Sequence, residues 1–120
     1  MWQIGTTMAK FTPKWRSKFV SSSNSHVPAQ PGLYAIGHNQ TCRGLEIGRV
    51  YVYVGRTDNL RRRLEEHSPD NEENPGLRNY LCRHIGQARC WYAVTDKSEL
   101  TKGERELILK LQPEFNRQGK

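Results

Sequence analysis

The chain has 120 residues, of which 35% are hydrophobic, so it is long enough for one domain with one modest core. Lys and Arg number 19 against 12 Asp and Glu, and the resulting net charge of +7 favours a polyanionic partner such as nucleic acid. No apolar run approaches the roughly 18 residues that a membrane span requires, and we predict no membrane partner.

Residues 1–30 are predicted to form a basic arm that ends in a serine-rich linker. Thr12-Pro13 favours the start of a short helix, on which Trp15 and Phe19 would share one face. This helix would either dock on the domain or lie along nucleic acid. The serine-rich run at 21–25 is typical of a flexible segment, so we expect residues 1–25 to be dispensable for folding.

Three strands are predicted, at residues 32–37, 50–54 and 90–95. The second strand alternates valine with tyrosine, which places Tyr51 and Tyr53 on the same face, where Tyr51 is expected only to pack. Residues 38–49 would form a long loop or a ragged hairpin between the first two strands. The predicted fold is a small α+β domain, in which helices flank a three-stranded antiparallel sheet.

A first helix is predicted at residues 60–67, with Asp58 or Asn59 as its N-cap. At about 100° per residue, Arg63 and His67 share the apolar stripe of this helix with its two leucines. Desolvating a charged group is costly unless it forms an ion pair. The presence of Arg63 and His67 on the apolar stripe therefore indicates a functional site. The alternative is structural, with a snorkelling arginine and a histidine bonded to the backbone.

A second helix is predicted up to about His84 and a third at residues 98–111. In the third helix, Glu104 lies on the stripe formed by its leucines. A carboxylate there has a raised pKa, is paired, or binds a metal. The alternative is a capping box, because Thr101 and Glu104 match the T-x-x-E pattern.

The three cysteines, Cys42, Cys82 and Cys90, form no C-x-x-C pair and no finger-like spacing. An odd number of cysteines favours a reduced, intracellular protein, and we predict a cytoplasmic one. Residues 1–5 lack the apolar core of a secretory signal, in line with this expectation.

Five motifs in chain order together resemble the GIY-YIG nuclease family. They comprise the first and second tyrosine motifs, an arginine ten positions after the second tyrosine, an E-x-x-L-I pattern and a closing Q-P-x-[YF]-N. In this sequence they are Gly32-Leu33-Tyr34, Tyr53-Val54-Gly55, Arg63, Glu104-Arg105-Glu106-Leu107-Ile108 and Gln112-Pro113-Glu114-Phe115-Asn116. The stretch from Asn59 to Arg63 looks much like that of excision-repair members. The resemblance covers residues 32–116, with a longer loop between the tyrosines than is usual.

The resemblance implies a nuclease domain at residues 31–117, followed by a short tail at 118–120. It makes Glu104 the ligand of one divalent metal, Mg²⁺ or Mn²⁺. It makes Arg63 the residue that binds the phosphate through its guanidinium group. A tyrosine, Tyr34 or Tyr53, or alternatively His67, would activate water.

The remaining residues assigned to the site are predicted to contact nucleic acid, with the last of them also bracing the site. They are Arg56, Arg61, Arg62 and Asn116.

The predicted function is therefore metal-dependent endonucleolytic hydrolysis of nucleic acid, with DNA favoured over RNA. The alternative is a module of the same fold that holds nucleic acid without cutting it. A third possibility, a structural partner in a larger assembly, depends only on Trp15 and Phe19 of the arm.

Overall fold

The structure is a computed structural model, and it describes residues 14–118. The described chain contains one antiparallel sheet with helices on both of its faces. In chain order the elements are β1 (Arg16–Phe19), β2 (Gly32–Cys42), β3 (Leu45–Thr57), α1 (Leu60–Glu66), α2 (Pro75–Arg83), β4 (Arg89–Val94), a 3₁₀ turn (Lys97–Glu99), α3 (Leu100–Leu111) and α4 (Glu114–Gln118). Between residues 14 and 118, no helix is both long enough and apolar enough to cross a membrane.

The sheet has four strands in the order β1-β4-β2-β3, and every neighbouring pair is antiparallel. The α+β class is confirmed, but the predicted number of three strands is wrong. The additional strand, β1, lies where a short helix was predicted, and its Lys18 pairs with Cys90 of β4. A strand of four residues is too short to show a period, and its partner lies far along the chain. Thr12-Pro13 lies outside the described residues.

Strands β2 and β3 form a hairpin that includes most of the predicted loop at 38–49. Its two turn residues, Arg43 and Gly44, have φ angles of 53° and 84°. Two consecutive residues with positive φ form the type of tight turn that matches the twist of paired strands. The ragged-hairpin alternative is therefore the one that the structure adopts.

A bulge between Ile36 and Gly37 interrupts the pairing of this hairpin. Ile36 lies opposite Tyr53 but Gly37 lies opposite Tyr51, so β3 carries one additional residue there. Tyr53 consequently packs on the same face as Tyr34, while Tyr51 packs on the other face, edge-on to Trp91. The expectation that Tyr51 and Tyr53 share a face is wrong, because the bulge breaks the strict alternation.

Alternate residues of β2 enter two separate hydrophobic clusters, one on each face of the sheet. Tyr34 and Ile36 pack with the leucines of α1 and α2, whereas Leu33 and Ala35 pack with the leucines of α3. Strand β3 lies at the edge of the sheet, so α1 on one face and α3 on the other can both reach around it. The candidate site lies at this edge.

Candidate active site

A cavity of about 550 Å³ opens at the edge of β3, and groups from both faces of the sheet line it. Tyr34, Tyr53 and Arg63 reach it from the α1 face, while Leu100 and Glu104 reach it from α3. The sequence motifs that are far apart in the chain therefore meet here. The full lining is Tyr34, Tyr53, Gly55, Arg56, Thr57, Asp58, Arg63, Lys97, Leu100 and Glu104.

The glycines of the two tyrosine motifs are required by close packing around this cavity. A Cβ atom on Gly55 would clash with the hydroxyl and the ring of Tyr34, which crosses directly over it. A Cβ atom on Gly32 would clash with the Ala93 carbonyl and with Leu60 of α1. Glycine at both positions lets the α1 helix and the Tyr34 ring lie directly on the strands.

Helix α1 positions the two groups that its periodicity singled out. Asn59 is its N-cap and accepts a hydrogen bond from the Arg62 backbone N–H at 3.1 Å. Leu60 and Leu64 are buried against the sheet, which fixes the rotation of the helix. Arg63 is thereby directed at the cavity, and His67, at the C-cap, is buried behind Tyr34 with 1% exposure.

Tyr34 connects two other polar groups of the site, because its hydroxyl bonds both of them. Its hydroxyl accepts a hydrogen bond from Nε of Arg63 at 3.2 Å and lies 2.8 Å from Nε2 of His67. Burial strongly raises the pKa of this phenol, and the neighbouring Tyr53 raises it further, while the charge of Arg63 opposes both. The Tyr53 ring lies 6.3 Å from that of Tyr34 and 5.5 Å from that of His67.

Glu72 is a buried member of this network that the sequence analysis missed. Its Oε1 meets Nδ1 of His67, and its Oε2 accepts a hydrogen bond from the Asn74 backbone N–H at 3.0 Å. Burial acts to raise the pKa of this carboxyl, but the contact with His67, the Asn74 backbone N–H and the charge of Arg63 together outweigh burial, so the pKa lies below its ordinary value. Glu72 follows α1 in an irregular loop, where no periodicity marks a buried position.

Glu104 lies on the opposite side of the cavity and is paired with Arg56, whose Nε donates to Oε1 at 3.1 Å. The glutamate side chain is 18% exposed. Helix α3 begins at Leu100, before Thr101, and Asp96 accepts from the Ser98 backbone N–H at the preceding turn. The capping-box alternative therefore does not describe Glu104, whose carboxylate bonds Arg56, another residue that lines the cavity.

Lys97 is the second group that sequence reasoning missed. It lies in the 3₁₀ turn before α3 and lines the cavity. With Arg56 and Arg63 it gives the cavity three cationic side chains against two acidic ones, Asp58 and Glu104. This excess of positive charge suits an anionic substrate.

A model of the GIY-YIG catalytic domain family matches residues 30–118. The chain belongs to this family. The predicted family and the predicted GIY-YIG type of enzyme are thereby confirmed, and we refer to residues 30–118 as the GIY-YIG nuclease domain. No individual curated protein sequence matches the chain.

Solved structures of one endonuclease domain share this fold. The GIY-YIG N-terminal endonuclease domain of UvrC from Thermotoga maritima, bound to magnesium as its catalytic divalent cation, gives a TM-score of 0.55 at 21% identity, covering 81% of this chain and 94% of that one. Two tyrosine-to-phenylalanine mutants of that domain, each with its divalent cation, give TM-scores of 0.54 and 0.55 at 20% and 21% identity. Each match covers 81% of this chain and 93% of that domain.

The remaining predicted contacts to nucleic acid occupy different positions around the GIY-YIG nuclease domain. Arg61 donates from Nε to the Val27 carbonyl at 2.7 Å, which ties the segment before β2 to α1. Arg62 is exposed beside Asp58 and Glu66. Asn116 is buried and pairs with both backbone polar groups of Val54, at 2.7 Å each. The contact of these residues with nucleic acid stays a prediction.

Proposed function

We propose that this protein is an endonuclease that hydrolyses phosphodiester bonds in nucleic acid with the help of one divalent metal ion. The observation that carries the proposal is the convergence of Tyr34, Tyr53, Arg63 and Glu104 on one cavity at the β3 edge. We favour DNA as the substrate, because residues 59–63 look much like the corresponding stretch of excision-repair nucleases. A cytoplasmic location stays part of this proposal.

Glu104 would hold the metal ion. Its carboxylate is partly exposed to a cavity of about 550 Å³, which leaves room for a hydrated cation. Among residues 14–118, no three His, Cys, Asp or Glu side chains are grouped around a common point. A single carboxylate fits Mg²⁺ or Mn²⁺, since such ions keep several waters and take further oxygens from substrate phosphates. When bound, the ion polarises the phosphoryl oxygen.

Arg63 would bind the phosphate and stabilise the charge that develops on it. Its Nε donates to Tyr34 and its Nη1 to Glu66, and its side chain is 35% exposed and lines the cavity. Burial acts to lower the pKa of Arg63, but Tyr34 and Glu66 more than offset this, so its pKa is raised and the guanidinium stays charged. These two contacts also fix the orientation of the planar guanidinium group and of its N–H donors.

Tyr34 and Tyr53 would orient the attacking water, since both rings line the cavity. His67 lies behind Tyr34 and does not line the cavity itself. A hydrogen bond to the Tyr34 hydroxyl connects it to the cavity. A proton taken from the water can therefore enter the buried side of the site without crossing open solvent.

A cleavage panel tests the proposed function. Single-stranded DNA, supercoiled and linear duplex DNA, and RNA are each incubated with the full chain in Mg²⁺, Mn²⁺ or EDTA. We expect cleavage of DNA with either metal and none in EDTA. Binding without cleavage in every arm would instead identify the non-cleaving module, and preferential cleavage of RNA would overturn the choice of DNA.

Glu104→Gln separates the metal site from the rest of the domain. We expect cleavage to fall at least about 100-fold, because a metal ion supplies several kcal/mol to the transition state. Stability should change by less than about 1 kcal/mol, since a partly exposed ion pair contributes little. Glu106→Gln, on the same helix but outside the cavity, is the control and should cleave normally. Metal-dependent cleavage by Glu104→Gln at the wild-type rate would refute the proposed site.

A further inference from the structure

Glu72 is a buried carboxylate for which the proposed function has so far assigned no role. It is 7% exposed and follows α1 in the loop that leads to α2. One of its oxygens is held by the Asn74 backbone N–H at 3.0 Å, and the other meets Nδ1 of His67. Its position is therefore fixed by the backbone on one side and directed at the imidazole on the other.

The hydrogen bonds around His67 determine which ring nitrogen carries a proton. A carboxylate only accepts hydrogen bonds, so Nδ1 of His67 must be protonated to bond Glu72. The Tyr34 hydroxyl already accepts from Arg63 at 3.2 Å, and its own proton has His67 Nε2 as the neighbouring acceptor at 2.8 Å. In the neutral ring, Nε2 is therefore the bare nitrogen, and Tyr34 donates to it.

We propose that Glu72 is a positioning residue of the hydrolysis, which holds His67 so that its Nε2 accepts the proton of Tyr34. The inference depends on the proposed nuclease function, because it assigns the path of the proton released by the attacking water. It names a chain of three groups, Glu72, His67 and Tyr34, that runs from the loop after α1 to the cavity.

The groups of the chain take up the proton of the attacking water, and solvent supplies the proton of the leaving oxygen. The attacking water gives a proton to the Tyr34 oxygen as its own oxygen forms a bond to phosphorus. Tyr34 passes its original proton to Nε2 of His67. The bond from phosphorus to the leaving oxygen breaks, and that oxygen departs with the bonding electron pair and takes a proton from solvent water. The imidazolium that forms is stabilised by the Glu72 carboxylate, as an orienting carboxylate does behind a catalytic histidine.

The other charged and titratable groups around His67 do not replace Glu72 in this role. Tyr53 approaches from β3 with its ring 5.5 Å from the imidazole. Arg63 acts on His67 through Tyr34, to which it donates. Glu66 and Glu73 border a separate cleft of about 360 Å³ on the outer side of Glu72, where Glu66 pairs with Arg63.

The direct test is the protonation of the His67 ring, measured by ¹⁵N NMR on the full chain without substrate. We expect Nδ1–H with a bare Nε2 in the wild type, and a substantial share of the opposite tautomer in Glu72→Gln, whose amide can donate to Nδ1. Glu73→Gln, an exposed neighbour, is the control and should leave the spectrum unchanged. A wild-type ring protonated at Nε2, or an unchanged tautomer in Glu72→Gln, would overturn the inference.

Kinetics on the same variants complete the test. In Glu72→Gln we expect kcat to fall about 10- to 100-fold with KM within about twofold, and the acidic limb of the kcat profile to move to lower pH. Glu72→Asp, which keeps the charge, should recover part of the loss. Cleavage by Glu72→Gln at the wild-type rate would overturn the role of Glu72 alone, whereas a wild-type protein that cleaves nothing would overturn the proposed function.

Discussion

Two adjacent arginines of α1 occupy opposite environments although they are one residue apart. Arg63 is held by Tyr34 and Glu66 and lines the cavity, whereas Arg62 is 59% exposed between Asp58 and Glu66. The helical rotation fixed by Leu60 and Leu64 is the cause of this difference. We therefore expect variants at the two positions to separate a role in catalysis from a role in general attraction of the substrate.

We predict that Arg63→Ala lowers kcat about 100- to 1000-fold, because the donor that meets the transition-state charge is lost. Arg62→Ala should leave kcat nearly unchanged, weaken binding a few-fold and reduce the dependence of affinity on salt. Single-turnover rates at saturating substrate and a salt titration of Kd measure the two effects. Equal losses of kcat in both variants would contradict the assignment.

At the residue scale, the sequence could predict the groups that lie on regular helices. Arg63 and Glu104 both interrupt an apolar stripe, so periodicity alone placed them toward the interior of the domain. Glu72 could not be found in this way, because it belongs to an irregular loop and its burial follows from tertiary contacts with His67 and Asn74. Nor could the sequence place Lys97 in the cavity, because a lysine in a polar turn is typical of a solvated surface.

At the scale of elements, the edge strand β3 carries much of the site, and Asn116 of α4 protects it. The Asn116 amide donates to the Val54 carbonyl and accepts from the Val54 N–H, both at 2.7 Å, as a neighbouring strand would. Tyr53 and Gly55 flank this position and line the cavity. The closing sequence motif therefore acts on the site through the backbone of β3.

We predict that Asn116→Ala destabilises the domain by about 1–3 kcal/mol, because it leaves two buried backbone groups of Val54 without partners. Urea unfolding measures the loss, and hydrogen exchange at the Val54 amide should accelerate selectively. Asn79→Ala, at an exposed position of α2, is the matched control. Unchanged exchange at Val54 would mean that the edge is held by other contacts.

Helices α1, α2 and α3 and the turn after β2 follow from local sequence, whereas helix α4 was not predicted and the bulge at Ile36 and Gly37 does not follow from local sequence. Caps, apolar periodicity and the Arg43-Gly44 turn are short-range features. The bulge changes which tyrosine of β3 faces Tyr34, and it depends on the pairing of two strands. Strict alternation from the sequence alone therefore placed Tyr51 and Tyr53 on one face.

At the scale of the whole molecule, we expect stability to depend on pH through a histidine that does not line the cavity. His38 of β2 bonds the Tyr80 hydroxyl and stacks on His84, with ring centroids 5.0 Å apart. Partial burial lowers the pKa of His38, and the nearby charge of His84 lowers it further. The unfolded chain then binds a proton at a higher pH than the folded one.

We predict that stability falls as the pH falls below about 6.5, the ordinary value for histidine, and stops falling once the folded His38 is itself protonated. His38→Asn should remove this part of the dependence, while His26→Asn, at an exposed position, should retain it. Urea unfolding at intervals between pH 7.5 and about 5 measures the slope. A wild-type slope that survives in His38→Asn would assign the effect to another group.

Strand β1 is another part of the fold that the sequence did not indicate, and it changes what the N-terminal segment is expected to do. Lys18 is buried within it, the Val20 N–H beyond it donates to the Ala88 carbonyl at 2.8 Å, and Trp15 before it packs on the cluster of α3. A removal of residues 1–25 would expose the edge of β4, so the expected dispensability of this segment does not agree with the structure.

We therefore predict that deletion of residues 1–20 lowers the free energy of unfolding by about 2 kcal/mol or more, from the lost burial of apolar surface and the lost strand pairing. A shift in Tm of about 10 °C and a tendency to aggregate through the opened β4 edge should accompany it. Replacing residues 15–20 by a glycine-serine segment of equal length should give a similar loss, because the pairing rather than the chain length is removed. Unfolding of both variants at the urea concentration of the full chain would show that β1 is energetically neutral and that the segment acts as the independent arm its composition suggests.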